Sequence, residues 1–326
     1  MWRTTSAALA LSGSLVTFGI AWCATSGNRF WLTSYRSPSR DHDGISSTCK
    51  YQLPYPRASI VRDTSDKPPE AHSWPPPARP VSRLILVRHA QATLSLDKTR
   101  AFDDYDKLSP LGMTQSEALG EELVAAGVVF ERIFIGPAAR HSQTAEIVGA
   151  VYKRCGHRWP EPVIQEGLAE HDGARVVERA LLHPNFRDEL KELEGLAAEE
   201  GSGSKSVQRA FFSVFRSVTR KWARRELPEE LVKESWQDFR ERVGVSVGEI
   251  FEIAQRGATM GVFTSGGPIG STVASVLGLS DEQALELAWV VQNATLTELL
   301  FRDGRASLKS FNVLPRLGSP ELSTYV

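Results

Sequence analysis

Three short apolar stretches of this sequence each end in polar residues whose types suit one kind of chemistry. The first two stretches are followed by Arg-His pairs, Arg88-His89 and Arg140-His141, and the third is followed by Ser265 and two glycines. Two guanidinium groups can bind the oxygens of a single phosphate, and an imidazole can attack phosphorus as a nucleophile. A Ser-Gly-Gly sequence at a helix start offers backbone N–H groups to an anion. Together these residues indicate phosphoryl transfer.

The elements that carry these residues indicate an α/β fold. Residues 83–87, 132–135 and 260–264 are short apolar runs of the kind that form buried parallel strands. Each run leads to a segment with helical spacing, and ligands bind at the carboxyl ends of the strands in open α/β sheets. Residues 296–301 and 306–311 are predicted to form a closing pair of strands around an Asp-Gly turn.

We therefore predict a three-layer sandwich with a mostly parallel central sheet, helices on both faces and an inserted helical cap. The helices after the three strands are predicted to begin near Ser109, at His141 and at Ile269, with Ser109 or Thr114 capping the first. The inserted cap is assigned to residues 178–255, because this stretch is almost wholly helical in pattern and rich in charge.

The composition excludes several classes of protein. The chain has 326 residues, of which 41% are hydrophobic and 24% charged, and its formal net charge is -1. These values are typical of a folded globular protein, and the lack of a basic excess argues against nucleic acid as a partner. Three widely spaced cysteines, Cys23, Cys49 and Cys155, define neither a disulfide framework nor a closed zinc site.

The N-terminal residues 1–26 have the character of a membrane anchor or a targeting presequence. Residues 1–40 contain no acidic side chain, and residues 7–24 are uncharged and mostly apolar, close to the ~20 residues that cross a membrane. Small polar residues dilute this run, so a cleaved presequence for the mitochondrion or the secretory route is an equal alternative, and burial in the globular body is a third. We expect a membrane-anchored or organellar protein.

Residues 27–80 are predicted to be a linker. The stretch is rich in Ser, Arg, Asp and Pro and lacks apolar periodicity, which is typical of extended spacers. A ligand for a proline-binding domain is the alternative. The folded domain is then assigned to residues 81–317, followed by a short tail at residues 318–326.

Five motifs of this sequence resemble those of the histidine phosphatase superfamily, also called phosphoglycerate mutase-like. They are LVRHAQA at 86–92, LSPLGMTQ at 108–115, RHSQTAE at 140–146, GLAEHDG around Glu170 and TSGGPI at 264–269. Their order and spacing follow the family over about residues 81–317. On these motifs the chain is identified as a member.

The resemblance implies a role for each matching position. His89 matches the family's phospho-accepting histidine, and Arg88 and Arg140 match its phosphate-binding arginines. Ser265 and Gly266 are expected to complete the phosphate site through the serine hydroxyl and backbone N–H groups. No metal ion or organic cofactor is expected, because the arginines supply the positive charge.

A carboxyl group is expected to move the proton. Glu170 matches the family's proton donor, which would protonate the leaving oxygen. Glu166 and Asp172 lie close by in the sequence, and either could be the carboxyl group that enters the site instead. Glu170 is the preferred candidate.

Two positions depart from the family's pattern. Ala90 stands where the family usually has glycine after its nucleophilic histidine, and ordinary backbone dihedrals would tolerate this change. Ser265 stands where most members have a second histidine, so we expect a variant site with slower turnover. His141 is a candidate for the missing imidazole. However, adjacent helix residues diverge by about 100 degrees, so Arg140 in the site would turn His141 away.

Three residues near the motifs are assigned structural roles. Trp236 and Phe239 lie on a predicted helix before the Ser-Gly-Gly strand and are interpreted as core aromatic residues. Asn293 precedes the closing strands and is interpreted as a residue that binds backbone.

The predicted activity is hydrolysis of a phosphate monoester through a phosphohistidine intermediate, as in histidine acid phosphatase-like enzymes. A mutase is disfavoured, because the segment after His89 lacks the Asn and Phe-Thr-Gly-Trp pattern of glycolytic mutases. The alternative function is a noncatalytic phosphate-binding or scaffold protein held at a membrane. The expected partner is a phosphorylated small molecule or a phosphoprotein, together with a membrane if the N-terminal segment is uncleaved.

Overall fold

The structure is a computed structural model that describes residues 80–93, 106–188, 205–315 and 323–324 and positions 191 and 195. The predicted targeting segment at residues 1–26 and nearly all of the predicted linker at residues 27–80 lie outside the described residues. Of the helices in the described part of the chain, none is both long enough and apolar enough to cross a membrane.

Six strands of the described chain form one central sheet. They are β1 (Ser82–Arg88), β2 (Arg132–Ile135), β3 (Pro162–Ile164), β4 (Thr259–Thr264), β5 (Leu296–Arg302) and β6 (Arg305–Val313). Their order across the sheet is β3-β2-β4-β1-β5-β6. The first four run parallel, β5 runs antiparallel to β1, and β6 runs antiparallel to β5. The predicted mostly parallel sheet and its closing strand pair are confirmed.

Helices cover both faces of this sheet. They are α1 (Pro110–Ala125), α2 (Ala139–Arg154), α3 (Gly173–Leu182), α4 (Lys205–Ala223), α5 (Trp236–Ile253), α6 (Gly266–Leu277) and α7 (Asp281–Val290). Ile85 and Val87 of β1 lie in a buried cluster with α1 and α2, whereas Leu84 and Leu86 lie in a second cluster with α3 to α7. Because neighbouring strand residues point to opposite faces, both faces are buried. The predicted three-layer α/β fold is confirmed.

Helix α5 lies within the stretch assigned to an inserted cap, and it packs on the sheet. Phe239 and Val243 of α5 are fully buried in the same cluster as Leu84 of β1. This helix begins with a capping box, in which the Ser235 hydroxyl accepts from the backbone N–H of Asp238. The layer on this face of the sheet therefore includes the C-terminal part of residues 178–255.

The start of α1 distinguishes the two predicted capping residues. The hydroxyl of Ser109 accepts a hydrogen bond from the backbone N–H of Gly112 at 3.0 Å, so Ser109 is the N-cap. Thr114 lies inside the helix and donates to the carbonyl oxygen of Pro110. Because β1, β2 and β4 are adjacent and parallel, their carboxyl ends and the helix starts that follow lie at one edge of the sheet.

Candidate active site

His89 follows β1 directly, and its buried imidazole has a defined tautomer. Nδ1 lies 2.8 Å from the carbonyl oxygen of Ala90, and because a carbonyl only accepts, Nδ1 carries the proton. Nε2 of the neutral ring then keeps its lone pair. The side-chain amide of Asn293 donates to the carbonyl oxygen of His89 at 3.1 Å. This contact fixes the backbone at His89 and confirms the prediction that Asn293 binds backbone.

Ala90 fits the position at which the family usually has glycine. Its φ is not positive, and its side chain is fully buried. Its backbone N–H donates to the hydroxyl of Thr144 at 3.1 Å, and that hydroxyl donates to the carbonyl oxygen of Arg140 at 2.7 Å. Thr144 therefore connects the end of β1 to the start of α2, and ordinary backbone dihedrals accommodate Ala90 as expected.

Two buried arginines act on His89. Arg88 donates from Nη1 to the carbonyl oxygen of Val291, and Arg140 pairs through Nη1 with Oδ1 of Asp106 at 3.1 Å. Burial lowers the pKa of His89 well below its ordinary value, and the charges of Arg140 and Arg88 lower it further. The imidazole is therefore neutral at physiological pH, and its Nε2 is available as a nucleophile.

Ser265 and His141 form a hydrogen-bonded pair next to Arg140. The hydroxyl oxygen of Ser265 lies 2.7 Å from Nε2 of His141 and accepts from Nη2 of Arg140 at 3.3 Å. The ring centroids of His141 and His89 are 5.6 Å apart. The structure therefore places a second imidazole beside His89, although Ser265 stands where the resemblance leads us to expect a histidine.

His141 does not turn away from Arg140 as helical geometry led us to expect. Both residues lie in the first turn of α2, which begins at the pocket, so their side chains reach Ser265 from two directions. Gly136 leaves space for the ring, because a Cβ there would clash with Nδ1 of His141. Burial, and then the charge of Arg140, lower the pKa of His141 to about 3.

Glu170 lies against the first turn of α6. Its Oε2 accepts from the backbone N–H of Gly267 at 3.1 Å, and its Oε1 accepts from the backbone N–H of His171 at 2.9 Å. Burial raises the pKa of Glu170. The imidazole of His171, the two N–H groups and Arg140 outweigh burial and hold the pKa below its ordinary value. The carboxyl group of the free site is therefore ionised.

The structure distinguishes Glu170 from the two neighbouring carboxyl candidates. Glu166 is exposed on a short 3-10 turn, and Asp172 pairs with Arg175 at 3.6 Å. Only Glu170 of the three makes a hydrogen bond to α6 among the described contacts. Gly267 permits this approach, because a Cβ at that position would clash with Oε1 of Glu170.

A model of the histidine phosphatase superfamily (branch 1) matches residues 84–181 and 171–314. The chain belongs to the histidine phosphatase superfamily. The membership identified from the five motifs is thereby confirmed.

Several individual proteins are similar to parts of this chain in sequence or in structure. A 2-carboxy-D-arabinitol-1-phosphatase of Triticum aestivum is 37% identical over 117 residues, which cover 36% of this chain and 21% of that protein. The structure of a phosphoglycerate mutase from Bacillus anthracis str. Sterne aligns with a TM-score of 0.47 at 17% identity, over 74% of this chain and 96% of that one. A phosphoserine phosphatase from Entamoeba histolytica aligns with a TM-score of 0.44 at 17% identity, over 72% and 98%.

Two residues of this superfamily member's pocket were missed by sequence reasoning. Asp106 pairs with Arg140 and accepts from the first backbone N–H of α2, at Ala139, but it lies in a polar stretch without any distinguishing signal. His171 directly follows Glu170, and its Nε2 lies 3.6 Å from Oε1 of that carboxylate. Its adjacency to the predicted proton donor was the one signal that could have identified it.

Proposed function

We propose that this protein hydrolyses a phosphate monoester through a phosphohistidine formed on His89. The observation that carries the proposal is the state of that side chain. Its Nδ1 is tied to Ala90, its ring is neutral, and the charges of Arg88 and Arg140 act on it. A neutral Nε2 beside groups that bind phosphate is what nucleophilic attack on phosphorus requires.

In the proposed complex, the phosphate oxygens bind two guanidinium groups, the hydroxyl of Ser265 and the backbone N–H of Gly266. Arg140 already lies within 3.3 Å of the Ser265 hydroxyl, and Asp106 holds it there. Gly266 faces Arg88, because a Cβ at Gly266 would lie 3.9 Å from Cζ of that arginine. These donors balance the charge of the transferring phosphoryl group.

The first step forms a bond between Nε2 of His89 and phosphorus while the bond from phosphorus to the ester oxygen breaks. The electron pair of the broken bond stays on the leaving oxygen, which takes a proton from Glu170. Glu170 is ionised in the free site. It gains this proton when the substrate binds, because the negative charge of the phosphate raises its pKa.

The second step hydrolyses the phosphohistidine. Glu170, now a carboxylate, takes a proton from a water molecule whose oxygen attacks phosphorus. The phosphorus to nitrogen bond breaks, and its electron pair returns to Nε2 of His89. Inorganic phosphate leaves, His89 is restored, and Glu170 releases its proton to solvent as the free site is regenerated. One water is consumed for each ester.

The proposed reaction class is that of a histidine acid phosphatase-like monoester hydrolase. The Triticum aestivum relative is named as a phosphatase, which supports hydrolysis over transfer of the phosphoryl group to a second hydroxyl. The substrate class is a phosphorylated small molecule or a phosphoprotein, as the sequence predicts.

Steady-state phosphate release by the full chain tests the proposal. The substrates are aryl, sugar and sugar-acid phosphates and phosphopeptides, and the variants are His89→Ala and His157→Ala. His157 is exposed three residues after the end of α2, so its removal controls for the loss of a histidine outside the pocket. We expect phosphate release by the wild type and by His157→Ala, and none by His89→Ala.

Two results would contradict the proposal. Release by His89→Ala within about tenfold of the wild type would exclude His89 as the nucleophile, because hydrolysis would then proceed without a covalent bond to His89. A wild type that binds inorganic phosphate but hydrolyses no substrate would favour the noncatalytic phosphate-binding function instead.

A further inference from the structure

We propose that His171, held between three aromatic rings, is a positioning residue that holds the Glu170 carboxylate against α6 and controls when it carries a proton. This inference rests on the proposed function, in which Glu170 moves the proton. It assigns a role to a histidine that lies outside the phosphate-binding residues and follows Glu170 in the chain.

Aromatic rings from two helices surround the His171 imidazole. The ring centroids of Trp222 on α4 and of Trp236 and Phe239 on α5 lie 5.5, 5.5 and 5.4 Å from the His171 centroid. All three meet the imidazole edge to face, at interplanar angles of 70°, 66° and 88°. The aromatic residues predicted to be core therefore also fix the plane of an imidazole.

The backbone defines the tautomer of this imidazole. The N–H of Gly173 donates to Nδ1 of His171 at 3.0 Å, so Nδ1 is an acceptor and the ring proton lies on Nε2. Nε2 is 3.6 Å from Oε1 of Glu170, which is too long for a hydrogen bond but places the positive end of the N–H dipole near the carboxylate. Atom Cδ2 of the same ring would lie 2.7 Å from a Cβ at Gly267, so His171 also contacts the start of α6.

Other charged groups near Glu170 and His171 form ion pairs with partners of their own. Arg140 on α2 acts on Glu170 but pairs with Asp106. Arg242 on α5 lies over the Phe239 ring at 4.8 Å and pairs with Glu234 at 2.5 Å.

On the other side of the loop, Asp172 pairs with Arg175 and Arg179 on α3, at 3.6 and 3.9 Å. Among the influences that lower the pKa of Glu170, His171 is the largest. Removing it should therefore raise that pKa.

The test compares two substitutions, each of which keeps one of the two polar contacts of the His171 imidazole. His171→Asn keeps an acceptor for the Gly173 N–H at the position of Nδ1 and loses the donor towards Glu170. His171→Gln keeps the donor at the position of Nε2 and loses the acceptor. The measured quantity is the titration midpoint of the Glu170 carboxyl carbon, observed by NMR on the full chain with 13C-labelled glutamate and assigned by its loss in Glu170→Gln.

We expect His171→Asn to raise the midpoint by about one pH unit and His171→Gln to raise it less. In the pH profile of turnover, the limb that Glu170→Gln abolishes should move to higher pH in the same order. Thermal unfolding of each variant shows whether the fold is retained. Should both variants unfold, the wild type suffices, because its His171 ring resonance should show an inflection at the Glu170 midpoint.

An unchanged midpoint in a folded His171→Asn variant, or no inflection in the wild type, would overturn the inference. A lower turnover number with an unmoved limb would show that His171 only supports the packing. The midpoint does not depend on activity. A wild type that hydrolyses nothing would therefore defeat the proposed function, while the carboxyl titration would still decide the role of His171.

Discussion

His141 and His171 each lie beside a group that the proposed reaction uses, but their surroundings differ in charge. His141 lies next to Arg140 and shares a hydrogen bond with Ser265. His171 lies next to the Glu170 carboxylate between aromatic rings. Burial and the adjacent cation disfavour protonation of His141, whereas the neighbour of His171 is an anion.

This difference divides the pocket into two sides, one at Arg140 and one at Glu170. Burial and the charge of Arg140 keep His141 neutral, and the arginine side presents donors to an anion, so it is suited to binding phosphate. In the proposed reaction, the carboxylate side holds the group that gains and loses a proton, and the proposed control of that group comes from His171. The two histidines are therefore proposed to have different roles, because their neighbours carry opposite charge.

The largest expected effect is on the carboxylate side, from Glu170→Gln. General acid catalysis is worth about 10²–10⁴-fold in rate, so the rate at which an alkyl phosphate loses its leaving group should fall by that factor. The same rate for p-nitrophenyl phosphate should fall much less, because its leaving group departs without a proton. Single-turnover measurements of leaving-group release from both substrates give the difference, because they report the first step and not the later hydrolysis of the phosphohistidine.

The matched control for this prediction is Glu166→Gln, which removes an exposed carboxyl four residues earlier. It should leave both rates unchanged. Equal losses for the two substrates in Glu170→Gln would show that Glu170 does not act as the proton donor.

On the arginine side, Ser265→His tests whether the pocket has been rebuilt around serine. His141 already contacts the Ser265 hydroxyl, so a ring at position 265 would displace it and disturb Arg140. We expect turnover to fall about 10²-fold, the usual cost of one donor to a transition state, and His141→Ala to lower it by a smaller factor.

The double variant Ser265→His/His141→Ala should recover part of this loss, because it removes the clash. Turnover assays on the two single variants and the double variant measure these changes. If Ser265→His raises turnover and His141→Ala leaves it unchanged, the site is an impaired phosphatase and His141 does not compensate for the histidine that is missing at position 265.

The smallest effect is on stability. The pKa of His141 is about 3 in the folded chain and 6.5 in the unfolded one, so between these values only the unfolded chain binds the proton. Protonation therefore favours unfolding, and the free energy of unfolding should fall as the pH decreases below 6.5. His141→Gln removes this contribution.

Urea unfolding at about pH 7.5 and pH 5 measures it. The wild type should lose about 2 kcal/mol more than His141→Gln over this range. Equal losses would mean that His141 is protonated in the folded protein, and the contrast with His171 would disappear.

The strands and most of the pocket could be predicted because their signals are local. The apolar runs before Arg88-His89 and Ser265 are continuous in sequence, and the structure has strands there with bounds that differ by at most one residue. Asn293 could be assigned to backbone binding from its position before the closing strands, and it bonds the carbonyl oxygen of His89.

The contacts of His141 and His171 could not be predicted, because they depend on the assembled fold. The angle between adjacent helix residues predicted that His141 turns away, but that angle does not describe a helix whose first turn points at the pocket. The rings around His171 come from α4 and α5, tens of residues further along the chain. No pattern near position 171 indicates them.

The central claim is that His89 becomes phosphorylated, and trapping that intermediate tests it most directly. The full chain is mixed with 32P-labelled p-nitrophenyl phosphate and quenched within a single turnover, in acid or in base. We predict that base-quenched protein retains label on His89, that acid-quenched protein loses it because phosphohistidine is acid-labile, and that His89→Ala is unlabelled. Label that survives acid, or label on the His89→Ala variant, would contradict the account.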